Sequence, residues 1–445
     1  MEEKNVCIKG PLPGPNSRRL GELRDKNIPR GVSSLSATYV AKARGALIED
    51  VDGNVFIDFA GGIGTINAGH CPPEVVEAIK SQVDGFLHTC FQVLPYEPYV
   101  RVAEQLNRLV PGNFPKKTLL LNSGVEAVEN AVKIARRYSK KPGIISLDCS
   151  FHGRTYLGMS LTGKVRPYRY QFGPFVAETY KIPSPYCYRC PCNLEYPHCD
   201  IECLEFLHKL FLTQAEPEKI GAVIIEPVEG EGGFIVTPPE YLRRLREICT
   251  QNNILLIIDE IQTGFCRTGR FFAMEHSGVI PDLTTTAKSI AAGIPLSAVT
   301  GKAEIMDSAG PGEVGTTYGG NPVACAAALK VIELMEGNDF AGKSWQLGEE
   351  MFARLQQFKE EYDFIGDVRG LGGMLAFELV KDRSSKQPDP AKTSEIIAGC
   401  LKRGLLVLKA GIYDNVIRML IPLVISDQQL DTGLSILEEV LKENA

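Results

Sequence analysis

The chain has 445 residues, of which 44% are hydrophobic and 23% charged, a composition that argues against disordered and fibrous proteins. Its 48 basic and 54 acidic residues give a net charge of −6, which does not indicate a nucleic acid or an anionic membrane as partner. The apolar runs are too short to span a bilayer, and no secretory signal is visible at Met1. We therefore expect a soluble, intracellular protein located in the cytoplasm.

The N-terminal part of the chain carries two predicted elements. Residues 1–29 are polar and rich in proline and glycine, which predicts an arm or a short helix. Residues 46–59 contain two short apolar runs around the turn sequence at 52–54, which predicts a hairpin.

Strand and helix patterns then alternate from about residue 100 to 300. Continuous apolar runs are typical of strands that are buried on both faces of a parallel sheet. The predicted strands are 119–121, Gly143–Leu147, 222–225 and 254–258, and the predicted helices are 125–139 and Pro239–Gln251. This order predicts an α/β fold with a mostly parallel sheet and right-handed crossovers, in which ligands bind beyond the carboxyl ends of the strands.

The pattern changes near residue 327. A helix at 325–336 is followed by mixed helices and short strands at 373–379, 404–409 and 416–420, which predicts a smaller α+β domain. We predict that residues 1–65 form an arm and hairpin that belong to the small domain. Residues 66–327 would form the large domain, and residues 328–445 the C-terminal part of the small domain.

The first candidate site follows the strand at 119–121. Ser123, Gly124 and Val125 stand where a helix is predicted to begin, and small residues there expose N–H groups that can bind a phosphate. Serine is also a common helix cap, so an ordinary helix start is the alternative.

The next candidates lie after two further strands. Phe151 could stack on a flat ring and Arg154 could bind a carboxylate, with His152 between them, although a surface loop with a structural arginine fits the same residues. The glycine-rich segment 226–233 carries Glu226 and Glu231, which suit either a polar pocket wall or a solvated acidic loop.

Asp259 and Lys288 are two further candidates for catalytic residues. Asp259 directly follows the apolar run 254–258, where a carboxylate is costly unless a cation or hydrogen-bond donors meet it. Lys288 lies among small residues, where an ammonium group tends to lose its proton and become a nucleophile. Taken alone, a lysine is more often a solvated surface residue.

The ordered set of motifs resembles the class III pyridoxal-phosphate-dependent aminotransferases, and among them the 4-aminobutyrate aminotransferases in particular. The resemblance covers roughly residues 30–440 and implies the aspartate-aminotransferase-like fold, fold type I. The matching motifs are residues 58–63, 122–127, 151–155, 226–233, 259–264, 287–288, 317–322 and 415–418.

The resemblance implies a role for each cofactor residue. Lys288 matches the lysine that binds pyridoxal phosphate covalently and moves the proton, and Asp259 matches the carboxylate that pairs with the ring nitrogen. Gln262 would lie near the phenolic oxygen, and Phe151 would stack on the ring. The other residues assigned to the cofactor are Ser123, Gly124, Val125, His152, Glu226 and Thr317. Thr317 matches a phosphate contact made by the other subunit, which implies a homodimer or a higher oligomer.

The resemblance also implies the substrates, an amino donor and a 2-oxo acid. Arg154 would hold the carboxylate of an ω-amino acid such as 4-aminobutyrate, and Arg418 the α-carboxylate of glutamate or 2-oxoglutarate. Glu231 would neutralise Arg418 when no α-carboxylate is present, because an unpaired buried charge is costly. Ile63 matches an apolar position in the pocket wall. The implied products are the semialdehyde and L-glutamate.

Five of the 13 cysteines lie within residues 187–203, and the others are scattered and predicted to be reduced and mostly buried. The five are Cys187, Cys190, Cys192, Cys199 and Cys203. They could hold a structural metal ion or an iron–sulfur cluster, or form a loop insertion with free or disulfide-bonded thiols.

Three alternatives to the 4-aminobutyrate reaction remain at this point. Related racemases and epimerases share the same motifs, and so do transaminases for 5-aminovalerate, ornithine or lysine. A protein that binds a metal or a partner and has lost catalysis would account for the cysteines alone, but not for Lys288 and Asp259.

Overall fold

A computed structural model describes residues 6–445, so the first five residues of the predicted arm lie outside the described residues. The remainder of the arm contains the helix Pro15–Asn27. The predicted hairpin consists of the antiparallel strands Leu47–Asp50 and Val55–Asp58, and Val40–Arg44 adds a third strand at its edge.

A seven-stranded sheet forms the centre of the molecule. Only one of its strands, Ser297–Lys302, runs antiparallel to its neighbours. In spatial order the strands are Lys116–Leu121, Ser297–Lys302, Leu283–Thr286, Leu255–Asp259, Ile220–Ile225, Gly143–Leu147 and Thr179–Ile182. The apolar strands at its middle are buried along their whole length. The predicted α/β fold with a mostly parallel sheet is therefore confirmed.

Helices cover the sheet and connect its strands. The α-helices after the first are Gly61–Gly64, Pro73–Gly85, Glu97–Leu109, Gly124–Ser139, Tyr156–Leu161, Glu205–Thr213, Gly230–Gly233, Pro239–Gln251, Ala303–Met306, Pro322–Gly337, Phe340–Glu361, Pro390–Lys402 and Asp427–Glu443. Single 3₁₀ turns lie at Cys187–Arg189, Glu202–Leu204, Pro217–Lys219, Ala273–His276 and Lys288–Ala291. Within residues 6–445, no helix is both long enough and apolar enough to cross a membrane.

The C-terminal part of the chain forms a second sheet and completes the N-terminal one. The second sheet consists of Ile365–Leu371, Met374–Asp382, Val416–Met419 and Leu408–Ala410, with Gln387–Pro388 paired at Met374–Asp382. The short strand Leu405–Leu406 pairs in parallel with Val55–Asp58, so the hairpin and the C-terminal segment share one sheet. A two-stranded ribbon, Val228–Glu229 with Ile235–Val236, forms a separate small sheet that packs against the second sheet. The domain boundaries at residues 65 and 327 stay predictions.

The central sheet brings the candidate segments to one edge. Strands that run in the same direction end at the same side of a sheet, so the residues that follow Leu121, Leu147, Ile225, Asp259 and Thr286 converge there. Asp259 and the motifs 122–127, 151–155 and 226–233 were singled out because each follows a predicted strand. Lys288 was singled out by its small neighbours and by the family resemblance, because the strand before it was not predicted.

Candidate active site

A cavity of about 470 Å³ opens at this edge of the central sheet. Most of the residues predicted for the site line it. They are Ser123, Gly124, Val125, Phe151, His152, Arg154, Glu226, Glu231, Asp259, Gln262 and Lys288. Loops from five separate strands therefore supply one concave surface of the size and chemistry that small-molecule sites have.

The Asp259 carboxylate is buried at the end of its strand and is held by three hydrogen-bond donors. His152 Nδ1 lies 2.7 Å from Oδ2, while Oδ1 accepts hydrogen bonds from Thr285 Oγ1 at 2.9 Å and from the N–H of Ile261 at 3.1 Å. Three donors on one carboxylate compensate the loss of water and fix its orientation. Thr285 was not predicted from the sequence.

Lys288 stands in the cavity wall, where the polypeptide leaves the neighbouring strand Leu283–Thr286. Its backbone has φ of +50°, a left-handed conformation that costs a non-glycine residue about 1–3 kcal/mol and is concentrated at functional sites. Loss of water lowers the pKa of its amine to about 8, and Arg418 adds to this effect, although Glu231, Glu226 and Asp259 oppose it. A larger fraction of this amine is uncharged near neutral pH than for an exposed lysine.

Two cavity residues carry buried polar atoms that have no hydrogen-bond partner within residues 6–445. These are both amide atoms of Gln262 and the Nε2 atom of His152. Gly230 makes room for the Gln262 amide, because a Cβ atom at that position would lie 1.9 Å from Gln262 Oε1. Buried polar atoms without a partner are rare, and a ligand in the cavity would satisfy them.

The helix Gly124–Ser139 begins at the opposite wall of the cavity. Ser123 Oγ accepts a hydrogen bond from the N–H of Glu126, and the Glu126 carboxylate accepts from the N–H of Ser123 at 2.8 Å. This reciprocal capping fixes the first turn, where free N–H groups and the helix dipole favour an anion. The two interpretations of Ser123 made from the sequence are thus compatible, because the residue both caps the helix and lines the cavity.

Arg418 and Glu231 form an ion pair beside Lys288, in which the arginine side chain is 4% and the glutamate side chain 19% exposed. Arg418 Nη2 lies 2.6 Å from Glu231 Oε1, and the Tyr168 hydroxyl donates to Glu231 Oε2 at 2.7 Å. Burial alone would raise the pKa of Glu231, but the charge of Arg418 and the hydrogen bond from Tyr168 outweigh it and hold the pKa below its ordinary value. The glutamate is therefore charged at neutral pH.

Tyr168 also contacts the second predicted carboxylate-binding arginine. The Arg154 guanidinium carbon lies 4.8 Å from the centre of the Tyr168 ring. The centres of the Phe151 and Tyr168 rings are also 4.8 Å apart. Sequence reasoning missed Tyr168, because it lies in an irregular segment without periodic pattern. Its only signal was an aromatic residue close to the 151–155 motif.

Glu226 is buried in the cavity wall. Its carboxylate accepts hydrogen bonds from the N–H of Phe151 at 2.8 Å and of Gly230 at 3.0 Å, so it joins two of the loops that were predicted as separate motifs. Burial raises its pKa to about 7, with Asp259 raising and His152 lowering it. A protonated Glu226 carries no charge and therefore does not repel the carboxylate of Asp259 nearby.

Three predicted residues lie outside the cavity lining. Arg418 is buried behind Glu231, whereas Ile63 and Thr317 are exposed on the surface of the chain. The exposed positions do not by themselves support the roles that the resemblance implied for them.

The cysteine-rich segment forms an irregular loop with two 3₁₀ turns. Cys187, Cys190, Cys199 and Cys203 are among the residues that line one small apolar pocket, and all 13 cysteines are free. Among residues 6–445, no group of three or more His, Cys, Asp or Glu side chains is placed to hold a metal ion, so the predicted metal or iron–sulfur site is not supported.

The prediction that the eight scattered cysteines are mostly buried was wrong, since only half of them are buried. The buried ones are Cys249, Cys266, Cys325 and Cys400. Cys90 and Cys149 are half-buried, and Cys7 and Cys71 are exposed.

Comparisons with known proteins show which family this chain resembles. The family model for class-III aminotransferases matches residues 28–441. A probable 4-aminobutyrate aminotransferase of Bacillus subtilis is 46% identical over 94% of this chain and 96% of its own. A 5-aminovalerate aminotransferase of Pseudomonas putida is 47% identical over 94% of this chain and 96% of its own. The crystal structure of an amine transaminase from an uncultivated Pseudomonas species, in a form with bound pyridoxal phosphate, covers 100% of both chains at 32% identity with a TM-score of 0.86.

Proposed function

The chain belongs to the class-III aminotransferase family, and from that premise we propose that it transfers the amino group of 4-aminobutyrate, or of a similar ω-amino acid, to 2-oxoglutarate. It is a pyridoxal-phosphate-dependent transaminase of ω-amino acids. The observation that carries the choice of substrates is the presence of Arg154 and of the Glu231–Arg418 pair around one cavity. A cytoplasmic location stays a prediction.

The residues of the cavity fit pyridoxal phosphate. The unpartnered Gln262 amide suits the phenolic oxygen of the ring, and the first turn of the helix Gly124–Ser139 suits the phosphate. Asp259 suits a protonated ring nitrogen, because its carboxylate is fixed by donors and faces the cavity. Phe151, at the cavity wall, offers an aromatic face for the ring.

When bound, pyridoxal phosphate supplies an aldehyde that condenses with amines and a ring that accepts the electrons left when an adjacent carbon loses its proton. Asp259 would hold the proton on the ring nitrogen and so increase the capacity of the ring to accept those electrons. Lys288, once free of the cofactor, would remove the proton from the substrate carbon as a general base. A positioned base of this kind contributes about 10²–10⁴-fold to the rate.

The two arginines divide the recognition of substrate carboxylates. Arg154 would bind the carboxylate of the ω-amino acid, since no carboxylate of residues 6–445 forms a salt bridge with it. During this half-reaction Glu231 neutralises Arg418, so no buried cation is left without a partner. In the second half-reaction the α-carboxylate of 2-oxoglutarate would replace Glu231 on Arg418.

A panel of amino donors tests this proposal. Purified enzyme is given 4-aminobutyrate, 5-aminovalerate, ornithine, lysine or alanine, each with 2-oxoglutarate and separately with pyruvate, and the semialdehyde and the new amino acid are quantified. We expect the highest kcat/KM for an ω-amino acid that carries one carboxylate, with 2-oxoglutarate preferred to pyruvate. A preference for alanine and pyruvate would contradict the proposal.

The racemase alternative is not favoured, because the relatives just described are named as aminotransferases. One incubation separates the two activities. With a single L-amino acid and no keto acid, a racemase abolishes optical rotation, while a transaminase stops after converting one equivalent of cofactor.

We also propose that the enzyme acts as a homodimer. Segment 86–94 contacts segment 314–321 and exposes apolar side chains next to Thr317, among them Val93, which is 79% exposed. Such a patch is typical of a protein interface, and it would bring Thr317 to the cavity of a second subunit. Light scattering should show that Val93→Glu weakens the dimer. Leu212→Glu is the control and should not weaken it, because Leu212 is 86% exposed on the helix Glu205–Thr213, away from this patch. A monomeric parent enzyme with full activity would contradict this.

A further inference from the structure

Tyr168 contacts both groups that are proposed to recognise substrate carboxylates, the Glu231–Arg418 pair and Arg154. Its hydroxyl donates to Glu231 Oε2 at 2.7 Å, on the opposite side of the carboxylate from Arg418. Its ring faces the Arg154 guanidinium at 4.8 Å. Tyr168 is 9% exposed and Glu231 is half-buried, whereas Arg154 is exposed, so the hydroxyl contact is shielded from water more than the ring contact is.

We propose that Tyr168 sets the relative affinity of the enzyme for the amino donor and for the dicarboxylate acceptor. Its hydroxyl holds Glu231 on Arg418, while its ring holds Arg154 in place. This rests on the proposed function and assigns a specificity-determining role to a residue outside the motifs. Tyr168 acts through Glu231 and Arg154, so it is a positioning residue.

The hydroxyl acts on the paired state of Glu231. An ionised acceptor makes a stronger hydrogen bond than a neutral one, and this bond is added to the contact with Arg418. A dicarboxylate must displace Glu231 from Arg418 to bind, and it must therefore work against the hydrogen bond as well. Removal of the hydroxyl should ease that displacement and favour the dicarboxylate.

The ring acts on Arg154 independently of the hydroxyl. A guanidinium over an aromatic face is attracted to it, and the planar contact also limits where the long side chain can move. Phenylalanine at position 168 retains this contact, whereas leucine loses it. The two substitutions therefore separate the two roles.

Holoenzyme carrying Tyr168→Phe provides the first test, with Tyr170→Phe as the matched control. Tyr170 lies two residues further on in the same segment, is exposed, and contacts Arg166 instead of a cavity residue. We expect Tyr168→Phe to lower the KM for 2-oxoglutarate by about tenfold, while the KM for 4-aminobutyrate and kcat change little because the ring contact with Arg154 is retained. The control should leave both constants unchanged.

Calorimetric titration with glutarate, which carries the two carboxylates but no keto group, gives a readout that does not require turnover. Glutarate should bind Tyr168→Phe several times more tightly than the parent enzyme. Tyr168→Leu should additionally raise the KM for 4-aminobutyrate above that of Tyr168→Phe.

The inference is overturned if Tyr168→Phe moves both KM values equally or not at all, or if Tyr170→Phe gives the same change. A parent enzyme that neither binds glutarate nor uses 2-oxoglutarate would overturn the proposed function itself. A parent enzyme that does both, with Tyr168→Phe unchanged, would overturn the role of Tyr168 alone.

Discussion

The imidazole of His152 and the carboxylate of Asp259 form a buried pair, with Nδ1 2.7 Å from Oδ2. Because a carboxylate accepts hydrogen bonds, Nδ1 carries the hydrogen in this contact, and Nε2 remains without a partner within residues 6–445. The pair joins the loop after Gly143–Leu147 to the end of Leu255–Asp259. It fixes the group that we assign to the ring nitrogen of the cofactor.

Asp259→Asn tests the charge at this position. The amide retains the shape of the carboxylate but cannot hold a proton on the ring nitrogen, so we expect kcat to fall by about 100-fold or more. Steady-state kinetics measures this, and the melting temperature serves as the check on folding. A variant with nearly full kcat would show that the charge of Asp259 has no part in the reaction.

His152→Leu tests the pair without removing the carboxylate. Loss of one of three donors should let Asp259 reorient, which we expect to lower kcat by about tenfold, with little change in the KM of either substrate. His152→Asn can still donate to Asp259 and should recover part of the loss. Equal kcat values for the two variants would contradict a positioning role.

The lowered pKa of Lys288 predicts how the apoenzyme takes up its cofactor. An amine must be uncharged to attack an aldehyde, and its pKa of about 8 means that this fraction rises as the pH rises through 8. The rate of cofactor incorporation, followed by absorbance after mixing, should therefore increase from pH 6.5 and level off above about pH 9. A rate that keeps rising steeply to pH 10.5 would indicate an ordinary lysine.

Arg418→Ala and Arg154→Ala should affect different half-reactions. The first removes the partner of the α-carboxylate and should raise the KM for 2-oxoglutarate by about 100-fold, while the second should raise the KM for the ω-amino acid. Each half-reaction is measured alone in a single turnover. Arg403→Ala, which removes a surface ion pair with Glu443, is the control and should change neither.

Glu231→Gln in the Arg418→Ala background provides a second check of the pair. Arg418→Ala alone leaves the Glu231 carboxylate buried without its cation, and a neutral glutamine removes that cost. We expect the double variant to unfold at a higher temperature than Arg418→Ala alone. An equal or lower melting temperature would show that the two side chains are not energetically coupled.

Much of the central sheet was predictable because its middle strands are continuous apolar runs. The strands Leu283–Thr286 and Ser297–Lys302 were not predicted, although both are buried. Leu283–Thr286 ends in three threonines, and Ser297–Lys302 has Val299 as its only bulky apolar residue. Their burial results from their place between neighbouring strands and not from their own hydrophobicity. The Thr285 hydroxyl donates to Asp259, but the buried hydroxyls of Thr284 and Thr286 have no hydrogen-bond partner within residues 6–445.

The candidate site was predictable where a residue follows a predicted strand, as Asp259 does. The fold class then places such residues at one edge without any knowledge of distances. Lys288 follows a strand that was not predicted, and the family resemblance identified it instead. The sequence could not predict Tyr168, whose position depends on the path of an irregular segment. It also could not predict that the five clustered cysteines lack the geometry of a metal site.

The covalent attachment of pyridoxal phosphate to Lys288 is the central claim, and reduction of the holoenzyme with borohydride tests it most directly. Reduction should fix the cofactor irreversibly, and peptide mass spectrometry should find the added mass on the peptide that contains Lys288. Lys288→Arg should retain no cofactor after the same treatment and dialysis. Label on another lysine, or none on the reduced parent enzyme, would contradict the account.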